Sequence, residues 1–144
     1  MSYPRGLDDS MLLYEPTVNA RSRNYNSGNL SIGYIEGKGR GVFAQKHFAR
    51  GEAIECAPVI VLPDDPWELL NRTSLKDHYL TWGEQACAIA LGFGSLYNYS
   101  YVPNAVMVRH LEEAYFEMVA LRDIEAGEEI TFKYNCPPWF EVKE

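Results

Sequence analysis

Cysteine is scarce in this sequence: Cys56, Cys87 and Cys136 are far apart and odd in number. That spacing offers neither a disulfide framework nor a zinc-ligand set, and it suits a reducing compartment. Long hydrophobic runs are missing as well. No stretch approaches the roughly 18 consecutive apolar residues of a membrane span, and the opening MSYPRGLDDS lacks the charged and apolar regions of a secretory signal. A soluble protein of the cytoplasm is expected, or of the nucleus if the source is eukaryotic, with no membrane partner. Basic charge is in deficit: 13 Lys and Arg face 20 Asp and Glu, a formal net charge of −7. Such a chain is poorly suited to neutralising nucleic-acid phosphates, and a basic protein or peptide fits it better as a partner. Histidine is equally sparse. His47, His78 and His110 stand in separate segments with no carboxylate or cysteine at ligand spacing, so no metal site is expected and they read as surface or satisfied core residues.

What is present points to short strands. At 144 residues the chain is most simply one domain with a sizeable core. Residues 1–28 are polar, end in NYNSG, and read as a loosely structured arm ahead of a domain over 29–144. LSIGYIE, GVFAQ and EAIECAPVIVL follow, apolar and β-branched, punctuated by Gly, Pro and Asp. One helix is predicted at DPWELLN, with Asp65 as N-cap, Pro66 at the first helical position and Glu68 closing a capping box. YLTW and ACAIALGF read as strands; AVMVRHL and AYFEMVAL read as a hairpin with Glu112 and Glu113 at its tip; GEEITFKY is the last strand. FARGEAI and IEAGEEI share one spacing, which predicts two similar turns with Gly51 and Gly127 at positive φ, without amounting to a repeat architecture.

Three segments carry chemical interest. In GKGRGVFA, Gly37, Gly39 and Gly41 alternate, which lets a ligand approach the backbone and leaves amides free to donate. The segment is neither a P-loop nor a dinucleotide fingerprint, because the Lys-Ser/Thr end and the third glycine with its helix are missing. The second, GSLYNYSYVPNA, concentrates turn and hydrogen-bonding residues around Pro103 between apolar segments. In the third, GEEITFKYN, Tyr134 closes a strand bearing Thr131 and Phe132.

In this order the three resemble the SET domain of protein-lysine methyltransferases, and the small stand-alone SET proteins in particular. That family's pattern runs from a Gly-x-Gly turn, through Asn-His-Ser-x-x-Pro-Asn, to Gly-Glu-Glu-Leu and a strand ending in tyrosine. Here the counterparts are Gly39-Arg40-Gly41, NYSYVPN over 98–104, and GEEITFKY over 127–134. The resemblance spans about residues 30–140. It implies a mostly β, β-clip-like fold of several short sheets, with one or two short helices and a knot-like C-terminal threading.

The resemblance also implies S-adenosyl-L-methionine as cofactor and the side-chain amine of a protein lysine as acceptor. Lys38, Gly39, Arg40, Asn98 and Tyr99 are the implied cofactor residues, and Tyr134 the implied catalytic residue. Phe132, at the position governing the number of methyl groups, and Tyr97 are expected at the lysine channel, and Phe132 implies dimethyl or trimethyl products. The chain departs from the pattern at Tyr99, which stands where the family has histidine. It also lacks the cysteine-rich zinc module many members carry at the C-terminus; Cys136 alone cannot hold a structural zinc. Trp139 or Phe140 is then the group to cover the cofactor or close the channel, or simply to seal the core edge. An inactive SET-like module that binds a peptide, with or without cofactor, is the alternative from another class. A methyltransferase acting on another side chain such as histidine stays open, as does homodimerisation.

Overall fold

The structure, a computed structural model, describes residues 28–133. The N-terminal arm up to residue 27, the expected C-terminal threading, Tyr134, Cys136, Trp139 and Phe140 lie outside the described residues. Within them the chain is mostly strand, as the sequence implies. β1 (Leu30–Ile35) and β2 (Gly39–Ala44) form a hairpin, and β3 (Ala53–Leu62) follows. A single-turn helix, α1 (Trp67–Leu70), and a 3₁₀ turn (Ser74–Asp77) lead to β4 (Tyr79–Thr81) and β5 (Cys87–Ala90). Then come the two-residue β6 (Asn98–Tyr99), the hairpin of β7 (Ala105–His110) and β8 (Tyr115–Ala120), and β9 (Glu129–Phe132). Two sheets result, ordered β1-β2-β9-β6 and β4-β5-β3-β8-β7.

Side-chain alternation orients these strands. On β8, Phe116, Met118 and Ala120 point inward, and on β7 Ala105 and Met107 do so while Val106 and Val108 face out. Phe48, Phe116, Phe132, Leu30, Met118 and Ile130 are among the most deeply buried side chains, each stabilising the fold by about 1.5–3 kcal/mol relative to exposure. Glu112 and Glu113 occupy the exposed tip between β7 and β8, as expected.

The expected capping box at α1 does not form. The N-cap position is Pro66, no side chain caps the helix, and Asp64 and Asp65 adopt left-handed φ of 62° and 52°. The chain therefore arrives at α1 through a tight bend in which the Asp65 amide donates to the Gln85 carbonyl at 3.0 Å. Glu68 instead accepts from Arg72 Nη2 at 2.8 Å, an i,i+4 pair on an exposed face.

The two similar turns prove to be the joint of the molecule. Gly51 and Gly127 have φ of 84° and 93°, as their turns require. Phe48 and Ile124, which open the two matching segments, exchange both backbone hydrogen bonds at 2.8 Å. The amide of Gly51 donates to the Ala120 carbonyl, and that of Ala120 to Glu52; reciprocally, Gly127 donates to Ala44 and Ala44 to Glu128. Each turn is capped in the same way: Glu52 accepts from the Ala49 amide and pairs with Lys46, and Glu128 accepts from the Glu125 amide and pairs with Arg122. The similarity extends to the neighbouring strands at one constant offset, β2 answering β8 and β3 answering β9. The sequence reading stops at two turns; the structure shows two hairpin-turn-strand units interlocked about an approximate twofold.

Candidate functional site

β6 lies parallel to β9, with Asn98 opposite Thr131 and Tyr99 opposite Phe132. The pairing continues as the Ser100 amide donates to the Phe132 carbonyl at 3.1 Å. Beyond it the chain turns away, Ser100 Oγ accepting from the Val102 amide at 3.0 Å. The Asn104 side chain then replaces the missing strand: its Nδ2 donates to the Glu129 carbonyl at 2.8 Å and its Oδ1 accepts from the Thr131 amide at 2.9 Å. The density of hydrogen-bonding residues in GSLYNYSYVPNA thus has a cause. The segment grips β9 first through backbone and then through a buried carboxamide.

That grip sets Asn98 against the β1-β2 hairpin. Asn98 Nδ2 donates to the Arg40 carbonyl at 3.0 Å and to Glu129 Oε2 at 2.7 Å. The other carboxylate oxygen of Glu129 accepts from Lys38 Nζ at 3.4 Å, both side chains being only 15% exposed. The two glycines of the Gly-x-Gly turn serve different ends. Gly39 has a φ of 82° and open space around it, so its role is conformational. A Cβ on Gly41 would sit 2.5 Å from Glu129 Oε2 and 3.0 Å from Asn98 Nδ2, so Gly41 leaves the room in which Glu129 and Asn98 meet.

Lys38, Arg40, Tyr97, Asn98 and Tyr99 line one cavity of about 320 Å³. Of the residues expected at the cofactor, the structure therefore brings four to one cavity, with Gly39 between Lys38 and Arg40 in the chain; Trp139 lies outside the described residues. Asp77, His78 and Ser95 line the same cavity. His78, expected as a surface or core histidine, is held by Nδ1 at 3.1 Å from the Ser95 carbonyl and borders the cavity. A narrower gap, about the volume of one water, adjoins it; His78, Ser95 and Tyr97 border both, and Phe132 borders the gap. Phe132 is buried and meets Tyr97 edge to face, centroids 6.4 Å apart at 78°. Tyr99 is buried and packs edge to face on Tyr101 at 5.3 Å.

Behind Tyr97 stands Glu55 of β3. Its Oε1 accepts from the Tyr97 hydroxyl at 2.8 Å and its Oε2 from the Phe93 amide at 2.9 Å. Burial raises the Glu55 carboxyl above its ordinary range, and the two hydrogen bonds oppose that. Burial, and then the charge of Glu55, push the Tyr97 hydroxyl well above its usual value. No group of three or more metal-ligating side chains occurs among the described residues. His47 pairs with Glu125 on the surface and His110 stacks on Tyr115.

The SET domain model matches residues 39–135, about two thirds of the chain. The chain belongs to the SET domain family. Across 113 residues it is 33% identical to a Schizosaccharomyces pombe protein named histone-lysine N-methyltransferase, H3 lysine-37 specific, covering 78% of this chain and 77% of that one. A crystal structure from Plasmodium falciparum, described as that of a candidate histone methyltransferase, superposes with a TM-score of 0.60 at 25% identity, covering 78% of this chain and 97% of its own.

Glu129, which holds both Lys38 and Asn98, is a further member of this candidate site that motif order does not mark. The signal was available in the twin turns. Glu128 and Glu52 cap equivalent turns, but Glu129 corresponds to Ala53, so the second glutamate of GEE is surplus to the turn.

Proposed function

We propose that this SET-domain protein is an S-adenosyl-L-methionine-dependent protein-lysine methyltransferase that carries its target to the dimethyl or trimethyl state. The observation that supports this best is the meeting of Lys38, Arg40, Asn98 and Tyr99 at one cavity, which is also bordered by Tyr97, itself packed edge to face on Phe132. Their chemistry fits the cofactor. The Lys38 and Arg40 side of the cavity suits an amino-acid carboxylate, the Asp77 side suits an ammonium group, and the open positive-φ turn at Gly39 lets a ligand lie close to the backbone. When bound, the cofactor supplies a methyl group carried on a sulfonium.

The residues of the chain position and desolvate. Asn98, clamped between the Arg40 carbonyl and Glu129, gives the cavity a rigid wall. A free lysine has a pKa of about 10.4, so on the order of a thousandth is neutral near pH 7. The apolar walls of Phe132 and Tyr97 disfavour the ammonium and raise that fraction. These walls would hold the neutral amine in line with the methyl group that a bound cofactor would supply, and in-line positioning of this kind lowers a barrier by several kcal/mol. Tyr134 is assigned to orient the amine, and Trp139 to cover the cofactor. Phe132 puts no hydroxyl at the channel, leaving room for a methylated amine to turn for further rounds; aromatic faces favour such cations.

A histone is the substrate class to test first, since the fission-yeast relative is named for one. Transfer of label from the cofactor to histones and other basic proteins is measured for wild type and Tyr134→Phe, with products weighed. The expected result is transfer by wild type that Tyr134→Phe largely abolishes. Cofactor binding with no more transfer than the mutant shows would leave a peptide-binding module and sink the enzyme.

A further inference from the structure

We propose that Glu55 is a positioning residue for product multiplicity: it holds the Tyr97 hydroxyl out of the lysine channel. The inference rests on the methyltransferase reading above and assigns a role to a buried carboxyl group that reading does not use. Glu55 lies on β3, in the sheet opposite β6 and β9, so no motif of the site points to it. Yet its carboxyl group fastens both ends of the turn that delivers Asn98. Oε2 accepts from the Phe93 amide at 2.9 Å and Oε1 from the Tyr97 hydroxyl at 2.8 Å. Gly92, at a φ of 61°, has no Cβ because that carboxylate occupies the place.

The consequence falls on Phe132. Tyr97 borders both the large cavity and the water-sized gap beside it, and its ring meets Phe132 edge to face. Asp77, His78, Tyr79 and Ser95 also border the gap, but of the two rings in contact at Phe132 only Tyr97 carries a hydroxyl. Near an amine, a hydroxyl can accept or donate a hydrogen bond and fix one orientation, which opposes the rotation that a second methyl transfer needs. Glu55 occupies that hydroxyl. The Phe132–Tyr97 pair then presents only hydrocarbon to the channel, and the absence of a hydroxyl at Phe132 takes effect only because Tyr97 is tied back. A buried hydroxyl without its acceptor seeks another, and the gap beside it is where an amine would offer one.

The test is the distribution of mono-, di- and trimethyl-lysine made from an unmodified peptide by wild type, Glu55→Ala, Tyr97→Phe and the double variant. Glu55→Ala is expected to raise the ratio of monomethyl to higher products about tenfold, the partition that one neutral hydrogen bond produces. Tyr97→Phe is expected to keep the wild-type distribution. Removing the liberated hydroxyl should restore it, so the double variant returns to wild type; a merely structural role for Glu55 would not be rescued in this way. If Glu55→Ala does not fold, Glu55→Gln, with one carbonyl acceptor for two donors, is compared with and without Tyr97→Phe for a smaller shift of the same sign. An unchanged distribution in the single variant, or one that the second substitution leaves shifted, overturns the proposal. A wild type that transfers no methyl group refutes the enzyme reading itself. An active wild type that stops at monomethyl-lysine overturns the assignment of Glu55 while leaving the transferase in place.

Discussion

Gly41→Ala adds one methyl group and is expected to loosen Asn98 at the candidate cofactor cavity without touching any ligand. The added Cβ would stand 2.5 Å from Glu129 Oε2 and 3.0 Å from Asn98 Nδ2. A carboxylate at the end of a flexible side chain can move aside, so the clash itself is inexpensive. What it gives up is the 2.7 Å hydrogen bond to Asn98. A hydrogen bond to a charged group contributes about 1.5–3 kcal/mol. Asn98 keeps its second contact, to the Arg40 carbonyl at 3.0 Å, so the lower end of that range applies. The Lys38 contact, at 3.4 Å, is long and adds little. About 1.5 kcal/mol corresponds to roughly a tenfold loss of cofactor affinity if the clamp on Asn98 matters only when ligand is bound, and to the same loss of unfolding free energy if it matters in both states.

Two measurements separate these. Calorimetric titration with S-adenosylmethionine reads the affinity, and urea unfolding without cofactor reads the stability. The decisive control is the same substitution in a Glu129→Ala background, where the nearest clash is gone and only the milder approaches to Asn98 Nδ2 at 3.0 Å and Ile35 Cδ1 at 3.2 Å remain. There Gly41→Ala is expected to change either quantity by less than about 0.5 kcal/mol, so the two substitutions are strongly coupled. If Gly41→Ala costs the same with and without Glu129, or costs nothing in either background, the clamp is not what Gly41 protects and the reasoning fails.

Asn104→Ala removes both hydrogen bonds to β9 from a side chain that is 3% exposed, leaving a buried amide and carbonyl unsatisfied. Urea unfolding should report a loss of about 2–4 kcal/mol, and a loss below 1 kcal/mol would mean the carboxamide is not a substitute strand. Glu55 makes the second case. Its folded pKa is raised, so the native state binds more protons than the unfolded state above the ordinary carboxyl value of 4.5, and its contribution falls as pH rises through that window. The groups that oppose desolvation, the Phe93 amide and the Tyr97 hydroxyl, stay in Glu55→Gln and find one carbonyl acceptor in place of two carboxylate oxygens. Unfolding curves from about pH 4 to pH 8 should show the wild type losing stability relative to Glu55→Gln as pH increases; a difference that is flat, or that grows in favour of the wild type, contradicts the sign.

Much of the frame is legible in the sequence because it is local. Alternation in AVMVRHL and AYFEMVAL, turn residues between them and glycine at the two matched turns lead directly to β7, β8, Gly51 and Gly127. The failures are where local rules meet long-range constraint. Asp65 and Glu68 have the spacing of a capping box, but the pairing of the Asp65 amide with Gln85 fixes the approach to α1 and leaves the box unformed. The turn and hydrogen-bonding residues of GSLYNYSYVPNA give no sign of β6, because a two-residue parallel strand has no periodicity of its own and exists only where β9 lies alongside. For the site, motif order finds Lys38, Arg40, Asn98 and Tyr99, but His78 and Asp77 reach the cavity from a 3₁₀ turn that no motif marks.

The internal symmetry explains why the site occupies one half of the molecule and not the other. Both turns need one glutamate as a cap, and both have it in Glu52 and Glu128, each with a cationic partner, Lys46 or Arg122. At the next position the halves diverge: Ala53 begins β3 beside Val119, while Glu129 begins β9 beside Phe43 with its carboxylate turned toward Lys38 and Asn98. The difference has a counterpart on the facing strand. β2 carries Gly41, whose missing side chain admits that carboxylate, whereas the equivalent place on β8 is Glu117, a full side chain that pairs with His110 of β7 at 3.3 Å. A symmetric frame thus tolerates an anionic group above one of its turns only because the opposing strand has been hollowed at the matching position. The clamp on Asn98 at the cavity's edge follows from that pair of differences, glutamate for alanine and glycine for a full side chain, more than from the turn that both halves share.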